Sequence, residues 1–249
     1  MKKVHGVLLA ASMVMAGTQA SAAAFTIQGL QAIGQAKFQG IADDLGAAIW
    51  MNPSNSAEPH SAGLIPVGFQ VGVEATTLQV DSTAWQALQG NNAQSGMIIP
   101  KVRVSAGIPL GIDVAYMYTS VPQSNIKITG YEGRIAFGSF IPVPMLELNV
   151  RAYQSSLTGV NELDLKDSGY GAMIGLDLPV FKPYLEVGQV KSTATPKGLA
   201  AVALQGYSKT SNTMAVGAKL SFFPFLNLTG EYATVGTKKL YTLKLAAEF

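Results

Sequence analysis

KLYTLKLAAEF, residues 239–249, decides how the chain is read. Tyr241, Leu243, Leu245, Ala247 and Phe249 fall on one parity, and Thr242, Lys244, Ala246 and Glu248 on the other. That is the period-two alternation of a strand with one apolar and one polar face. The stretch ends on an aromatic. Terminal residues of soluble domains are usually polar and poorly ordered, so Phe249 is expected to dock against something apolar.

Working back from this strand, the same grammar recurs. Residues 65–75 set Val67, Phe69, Val71 and Val73 against Gln70 and Glu74, and the next two segments set Val102, Val104 and Ala106 against Lys101, Arg103 and Ser105, then Val114, Tyr116 and Tyr118 against Asp113 and Thr119. Tyr131, Ile135 and Phe137 oppose Glu132 and Arg134; Leu148, Val150 and Ala152 oppose Glu147, Asn149 and Arg151; Tyr170, Ala172, Ile174 and Leu176 oppose Gly171, Met173 and Asp177. Leu185 and Val187 oppose Tyr184 and Glu186, but Gln189 and Val190 break that parity, as a bulge, a strand end or a wrong assignment would. Val216, Ala218 and Leu220 against Lys219, and Leu226, Leu228 and Tyr232 against Asn227 and Glu231, bring the count to about ten. An even number suits a chain that enters and leaves a barrel on one side.

Composition favours closure of these strands around a polar interior. Mean hydropathy is +0.26 and only 13% of residues are charged, against roughly a quarter in ordinary soluble domains. No stretch reaches the roughly 18 apolar residues of a membrane-spanning helix. A closed barrel resolves the excess of apolar residues by turning one face of each strand to lipid. Lys2 and Lys3, an apolar run over 6–15 and the small residues Ala20-Ser21-Ala22 predict a signal peptide over 1–22. Of 17 basic and 15 acidic side chains, only those two lysines fall in it, so the remainder carries no net charge. Nothing there suits nucleic acid, and the absence of cysteine excludes disulfides and thiolate metal sites.

The connections divide by length. Those near 109–111, 138–144, 178–183 and 222–225 are tight, while 81–96, 120–126, 155–167 and 191–212 are longer and 235–238 is short. Short periplasmic turns and long external loops would place Phe249 at the periplasmic rim. Phe140, Phe181, Phe222, Phe223, Phe225 and Phe249 fall at one level of this scheme. Tyr116, Tyr118, Tyr131, Tyr153, Tyr170, Tyr232 and Tyr241 fall at the other, as two interfacial belts would require.

These features resemble Gram-negative outer-membrane β-barrel proteins, whose last strand ends on an aromatic read by the barrel-assembly machinery. The resemblance implies Phe249 as an assembly signal, with outer-membrane lipid and that machinery as partners. Residues 23–63 follow another rule. Phe38, Ile41, Ala42, Leu45, Ala48 and Ile49 recur at three and four, with Gln39 and Asp43 opposite, which predicts a short amphipathic helix stopped by Asn52-Pro53. GIADDLGAAIWMNPSNSAEP, residues 40–59, resembles the N-terminal segment of the long-chain fatty-acid outer-membrane transporters, although Ser54 here replaces that family's alanine after the proline. The resemblance implies an internal plug, with Phe38, Leu45, Trp50, Asn52 and Pro53 as its residues, that gates hydrophobic molecules.

The architecture expected is therefore all-β: a signal peptide over 1–22, a plug or cap over 23–63, and an antiparallel up-and-down transmembrane barrel of about ten strands over 64–249. Its lumen-lining positions are Glu74, Lys101, Arg103, Glu132, Arg134, Glu147, Arg151, Asp177, Glu186, Lys219, Glu231 and Lys244, together with Asp113 and Glu248. Charges of both signs there either line an aqueous path or pair across a filled lumen. His60 is the one histidine past residue 22 and sits beside Pro59, which does not suggest a catalytic triad; no catalytic, cofactor or metal site is expected. The leading function is a narrow or plugged channel for small or hydrophobic molecules. The alternative is a structural or adhesive barrel acting through loops 81–96, with Trp85, and 191–212.

Overall fold

The alternation becomes a hydrogen-bonded ladder in the computed structural model, which describes residues 27–60, 67–90, 95–120, 125–138, 142–223 and 225–249. The signal peptide, the boundary at 63 and 64, and Phe140 lie outside the described residues. Ten strands follow in order: β1 Gly68–Gln79, β2 Gly96–Ile108, β3 Ile112–Ser120, β4 Lys127–Ala136, β5 Leu146–Thr158, β6 Leu163–Leu176, β7 Phe181–Pro196, β8 Tyr207–Phe223, β9 Leu226–Val235 and β10 Lys238–Glu248. Each pairs antiparallel with its neighbour in sequence, and β1 pairs with β10, so the sheet is a closed barrel. Beyond the last paired residues, the Phe69 amide donates to the Phe249 carbonyl at 2.9 Å and the Phe249 amide to the Phe69 carbonyl at 2.8 Å. Closure on itself leaves the sheet without an edge. The Phe249 ring stays on the outside and stacks on Phe225 at 6.1 Å.

The polarity of the wall is inverted relative to a soluble protein and then changes along the strands. From the Phe249 end upward the exterior is an apolar band, including Val71, Val114, Ile174, Leu185 and Val216, while Gln70, Glu74, Lys101, Arg103 and Lys244 are buried inside. Tyrosines mark the upper margin of the band: Tyr116 lies 5.1 Å from Tyr131, and Tyr232 5.2 Å from Tyr241. Above them Lys166, Ser168, Lys191 and Thr193 are exposed on the outside, and the inward positions become mostly apolar, with Leu157, Leu163, Leu165, Val190 and Ala194 buried around Asp167 and Ser192.

This change of sign accounts for the first two of three departures from the sequence reading. Gln189 and Val190 continue β7 without a parity break; the strand keeps its alternation and exchanges which face is polar. Most of 155–167 and 191–212 is strand, leaving connections of 159–162 and 197–206, and the connection 137–145 at the opposite end is longer than the first of these. Tyr153 does not stand in the outer belt: it is 5% exposed and faces inward on β5.

Among the described residues there are also three helices, α1 Gln35–Ile49, α2 Ser82–Gln89 and α3 Ala200–Ala203, and a 3-10 turn over Leu30–Ala32 that precedes α1. The sequence placed a free loop at 81–96. Asp81 instead caps α2 by accepting from the Thr83 amide at 3.0 Å and the Ala84 amide at 3.4 Å, and Trp85 is buried against α1. From Ile41 onward α1 is buried nearly all round, so it is less amphipathic than its spacing suggested. Gly46 permits this: a Cβ there would lie 2.7 Å from Ser192 Oγ on β7.

Candidate functional site

The N-terminal segment runs through the barrel from the end carrying 159–162 and 197–206 to the end carrying Phe249. At the first end the Leu30 amide donates to Glu162 at 2.7 Å and the Gln35 side chain to the Gln205 carbonyl at 3.2 Å. Helix α1 then packs among the apolar inward residues of the upper wall, and Phe38 and Leu45 are buried in this cluster with Trp50. Residue Asp44, which the helical spacing gave no role, is fully buried there. It accepts from the Trp85 indole at 2.9 Å and the Asp81 amide at 2.8 Å, and pairs with Lys238. Beside it Asp43 pairs with Lys209 at 2.6 Å. Two adjacent carboxylates thus tie one helix to different parts of the wall.

Below α1 the chain is extended. Among the described residues its carbonyls have no strand-backbone partner, and buried backbone acceptors need a donor. The lumen charges supply it. Lys101 donates to the Trp50 carbonyl at 3.2 Å and to Asn52 Oδ1 at 3.1 Å, Arg151 to the Met51 carbonyl at 2.8 Å and Arg103 to the Asn52 carbonyl at 2.7 Å. Lys244 donates to the Ser54 carbonyl at 3.1 Å, Arg134 to that of Ser56 at 3.0 Å and Asn149 to that of Ala57 at 2.9 Å. Donors of the segment meet acids: Asn52 Nδ2 lies 2.9 Å and the Ser54 amide 2.8 Å from the Glu231 carboxylate, and Ser54 Oγ lies 2.7 Å from Glu74. Pro53, having no amide hydrogen, asks for no acceptor.

Most of the remaining charge pairs within the wall. Glu186, Arg151, Glu132, Arg103 and Glu74 form an alternating chain with contacts of 2.6, 2.5, 3.8 and 3.5 Å. Nearer the Phe249 end Arg134 pairs with Asp113 at 2.5 Å, and Lys219 with Glu58 at 2.5 Å and Glu248 at 3.2 Å. Glu147 faces inward at the foot of β5, half-buried. Asp177 does not line the lumen: it lies past the end of β6, 42% exposed, and pairs with Lys182 at 2.6 Å. Sequence parity does not extend into a turn.

Two tyrosines face inward: the sequence put Tyr184 on the polar face with Glu186 but gave it no role, and it put Tyr153 in the belt by its level along the strand although Tyr153 shares the parity of Arg151. Tyr184 donates to Glu231 at 2.6 Å. Tyr153 accepts from the Trp50 indole at 2.7 Å and lies across Gly169, where a Cβ would meet its hydroxyl at 2.4 Å. Tyr153→Phe should therefore cost about 1–3 kcal/mol, the usual consequence of orphaning a buried donor, measured by denaturant unfolding of the vesicle-inserted chain. A change below about 0.5 kcal/mol would mean that water replaces the hydroxyl.

His60 closes the segment. Asn55 Nδ2 donates to its Nε2 at 2.9 Å, so Nδ1 carries the proton and faces Glu248 at 3.2 Å, while its amide donates to Asp113 at 3.1 Å. Burial lowers its pKa below the usual histidine value against the pull of Glu248, which favours this neutral form. Both ring nitrogens are occupied, and the arrangement fixes the segment rather than exposing a base. Among the described residues no group of three His, Cys, Asp or Glu side chains is placed to hold a metal ion.

No family model matches the sequence, and no curated protein matches it. Solved structures do resemble the fold. An outer-membrane channel from Pseudomonas putida F1 matches at a TM-score of 0.52 with 7% identity, over 80% of this chain and 100% of that one. That likeness establishes the architecture as the closed antiparallel barrel of bacterial outer-membrane proteins. Ail, the attachment invasion locus protein of Yersinia pestis, aligns at 0.34 with 12% identity over 74% of this chain and 100% of its own. The KdgM porin aligns at 0.38 with 8% identity over 72% and 99%.

Proposed function

We propose that the protein is an outer-membrane channel in which the N-terminal segment, residues 27–60, is a displaceable plug, and that small or hydrophobic molecules pass when it shifts. The apolar outer band, its tyrosine margin and the shared fold support the location. The observation that carries the gating is that the extended part of the segment bonds to wall side chains and, among the described residues, not to the backbone of any strand. Its departure breaks no rung of a ladder that closes through β1 and β10 without it. Water entering the lumen would rehydrate both the carbonyls and the charges that cap them. The plug is the part of the fatty-acid transporter resemblance that this proposal keeps; the substrate is not carried over.

Conductance in planar bilayers tests the idea. The chain beginning at residue 23 should be closed or nearly so, and the same barrel without residues 23–63 should conduct in discrete steps. A folded truncated barrel that stays silent would refute the plug. A second, adhesive function draws on one feature: Leu199 and Val202, at the tip of 197–206, are 71% and 87% exposed. Under it, replacing 197–206 with a Gly/Ser loop abolishes adherence of cells displaying the barrel, while removal of residues 23–63 leaves adherence intact.

A further inference from the structure

Across β4 to β8 the pairing register aligns outward side chains in rows. One row is wholly apolar, with Ile135, Val150, Ala172, Val187 and Met214 side by side. The row above it reads Gly133, Ala152, Tyr170, Gln189 and Asn212. Because Gly133, Ala152 and Ala172 are small, these rows enclose an open groove of about 860 Å³ on the outer wall. Its upper lip is polar and ordered: the Tyr170 hydroxyl donates to Gln189 Oε1 at 3.0 Å, and Gln189 Nε2 donates to Asn212 Oδ1 at 3.1 Å.

The next two rows change character. Above the lip stand Gln154, Ser168, Lys191 and Thr210, and above those Ser156, Lys166, Thr193 and Ser208, all without a carboxylate. The nearest outward acid, Asp164, is one row further and is taken by Lys197 at 2.6 Å. Neither Lys166 nor Lys191 has an ion-pair partner among the described residues, and both are exposed. They are diagonal neighbours across β6 and β7, roughly 7–8 Å apart at the backbone, so their ammonium groups can converge on one anion. Lys191 is two residues above Gln189, or roughly 7 Å along the strand.

We propose that this face binds a single anionic, phosphate-bearing lipid, its acyl chain in the groove, its phosphate between Lys166 and Lys191. A free phosphate would use only the upper half of the site; an uncharged lipid would use only the lower half. The inference rests on the membrane location proposed above.

The test uses the full chain refolded into phosphatidylcholine vesicles doped with a minor fraction of phosphatidylglycerol, then extracted gently and weighed by native mass spectrometry. The wild type should retain one phosphatidylglycerol per chain. K166Q/K191Q should lower that retention roughly tenfold or more, as two lysine contacts to an anionic headgroup imply. G133L/A152L, which fills the groove while keeping both lysines, should lower it too; a Cβ at Gly133 meets nothing within 4 Å, so the wall accepts the larger side chain. Excess inorganic phosphate should displace none of it. Retention of phosphatidylcholine equal to phosphatidylglycerol, unchanged retention in both variants, or full displacement by phosphate overturns the lipid site. A chain that folds yet never inserts into the vesicles overturns the membrane location, and the lipid site with it.

Discussion

Arg151→Met should destabilise the barrel by about 3–5 kcal/mol, the cost of leaving buried charges without their partner. Arg151 holds Glu186 in a bidentate grip at 2.6 and 2.7 Å and Glu132 at 2.5 Å, and it also caps the Met51 carbonyl at 2.8 Å. Methionine keeps much of the volume and removes every donor. Both carboxylates then face one another across a lumen in which Glu186 is 1% exposed. The triple variant R151M/E132Q/E186Q should recover most of the loss, since replacing a whole buried ionic group costs far less than breaking it. Guanidinium unfolding of the vesicle-inserted protein, followed by Trp50 and Trp85 emission, measures both. If the single variant loses less than about 1 kcal/mol, the range typical of solvated pairs, the lumen around Arg151 is wet. A wet lumen would also lower the barrier to moving the N-terminal segment, so the same number bears on gating.

The strand order and the face of most side chains were legible because the period-two rule is strict wherever the outside is apolar and the inside polar. Above Tyr170 and Gln189 the outside meets polar surroundings and the inside meets α1, so residues such as Leu165, Val190 and Ala194 point inward with the opposite polarity. A rule tuned to one sign read these stretches as loop, while Tyr153 was read as belt from its level along the strand although its parity is that of Arg151. Asp44 was missed for a related reason: a carboxylate on an apolar helix is a liability until the fold delivers Trp85, the Asp81 amide and Lys238 to it from distant parts of the chain. The role of the lumen cations was hidden more deeply. The sequence offered acids as partners for Lys101, Arg103, Arg134 and Lys244, yet each donates to a backbone carbonyl of residues 50–58, and Lys101 and Lys244 make no ion pair among the described residues. Every residue carries such a carbonyl, so no side-chain pattern announces it. Only the extended, strandless course of the segment, which Asn52-Pro53 hinted at, creates the demand for those donors.

Joining positions 46 and 192 by a disulfide should silence any current that the intact channel carries, and reduction should restore it in full. The chain has no cysteine, so G46C/S192C can form only one bond. A Cβ at position 46 would lie 3.1 Å from that of Ser192, and a disulfide wants about 3.5–4.5 Å, so the backbones need separate by only a few tenths of an ångström. The serine hydroxyl that crowds position 46 becomes the bonding sulfur itself. The bond staples α1 to β7 in the upper half of the barrel, beside the buried Asp167 carboxylate but away from the ion-paired lumen charges and the β1–β10 seam. If solutes pass by displacement of the segment, oxidised G46C/S192C is closed, reduced G46C/S192C behaves as the wild type, and the barrel lacking residues 23–63 conducts in either condition. Equal current in the oxidised and reduced forms would place the path beside a stationary helix. Silence in both, with current after truncation, would make the segment a permanent brace whose lumen contacts serve stability, and the activity would then have to reside on the outer surface, at Leu199 and Val202 or along the lipid-facing wall.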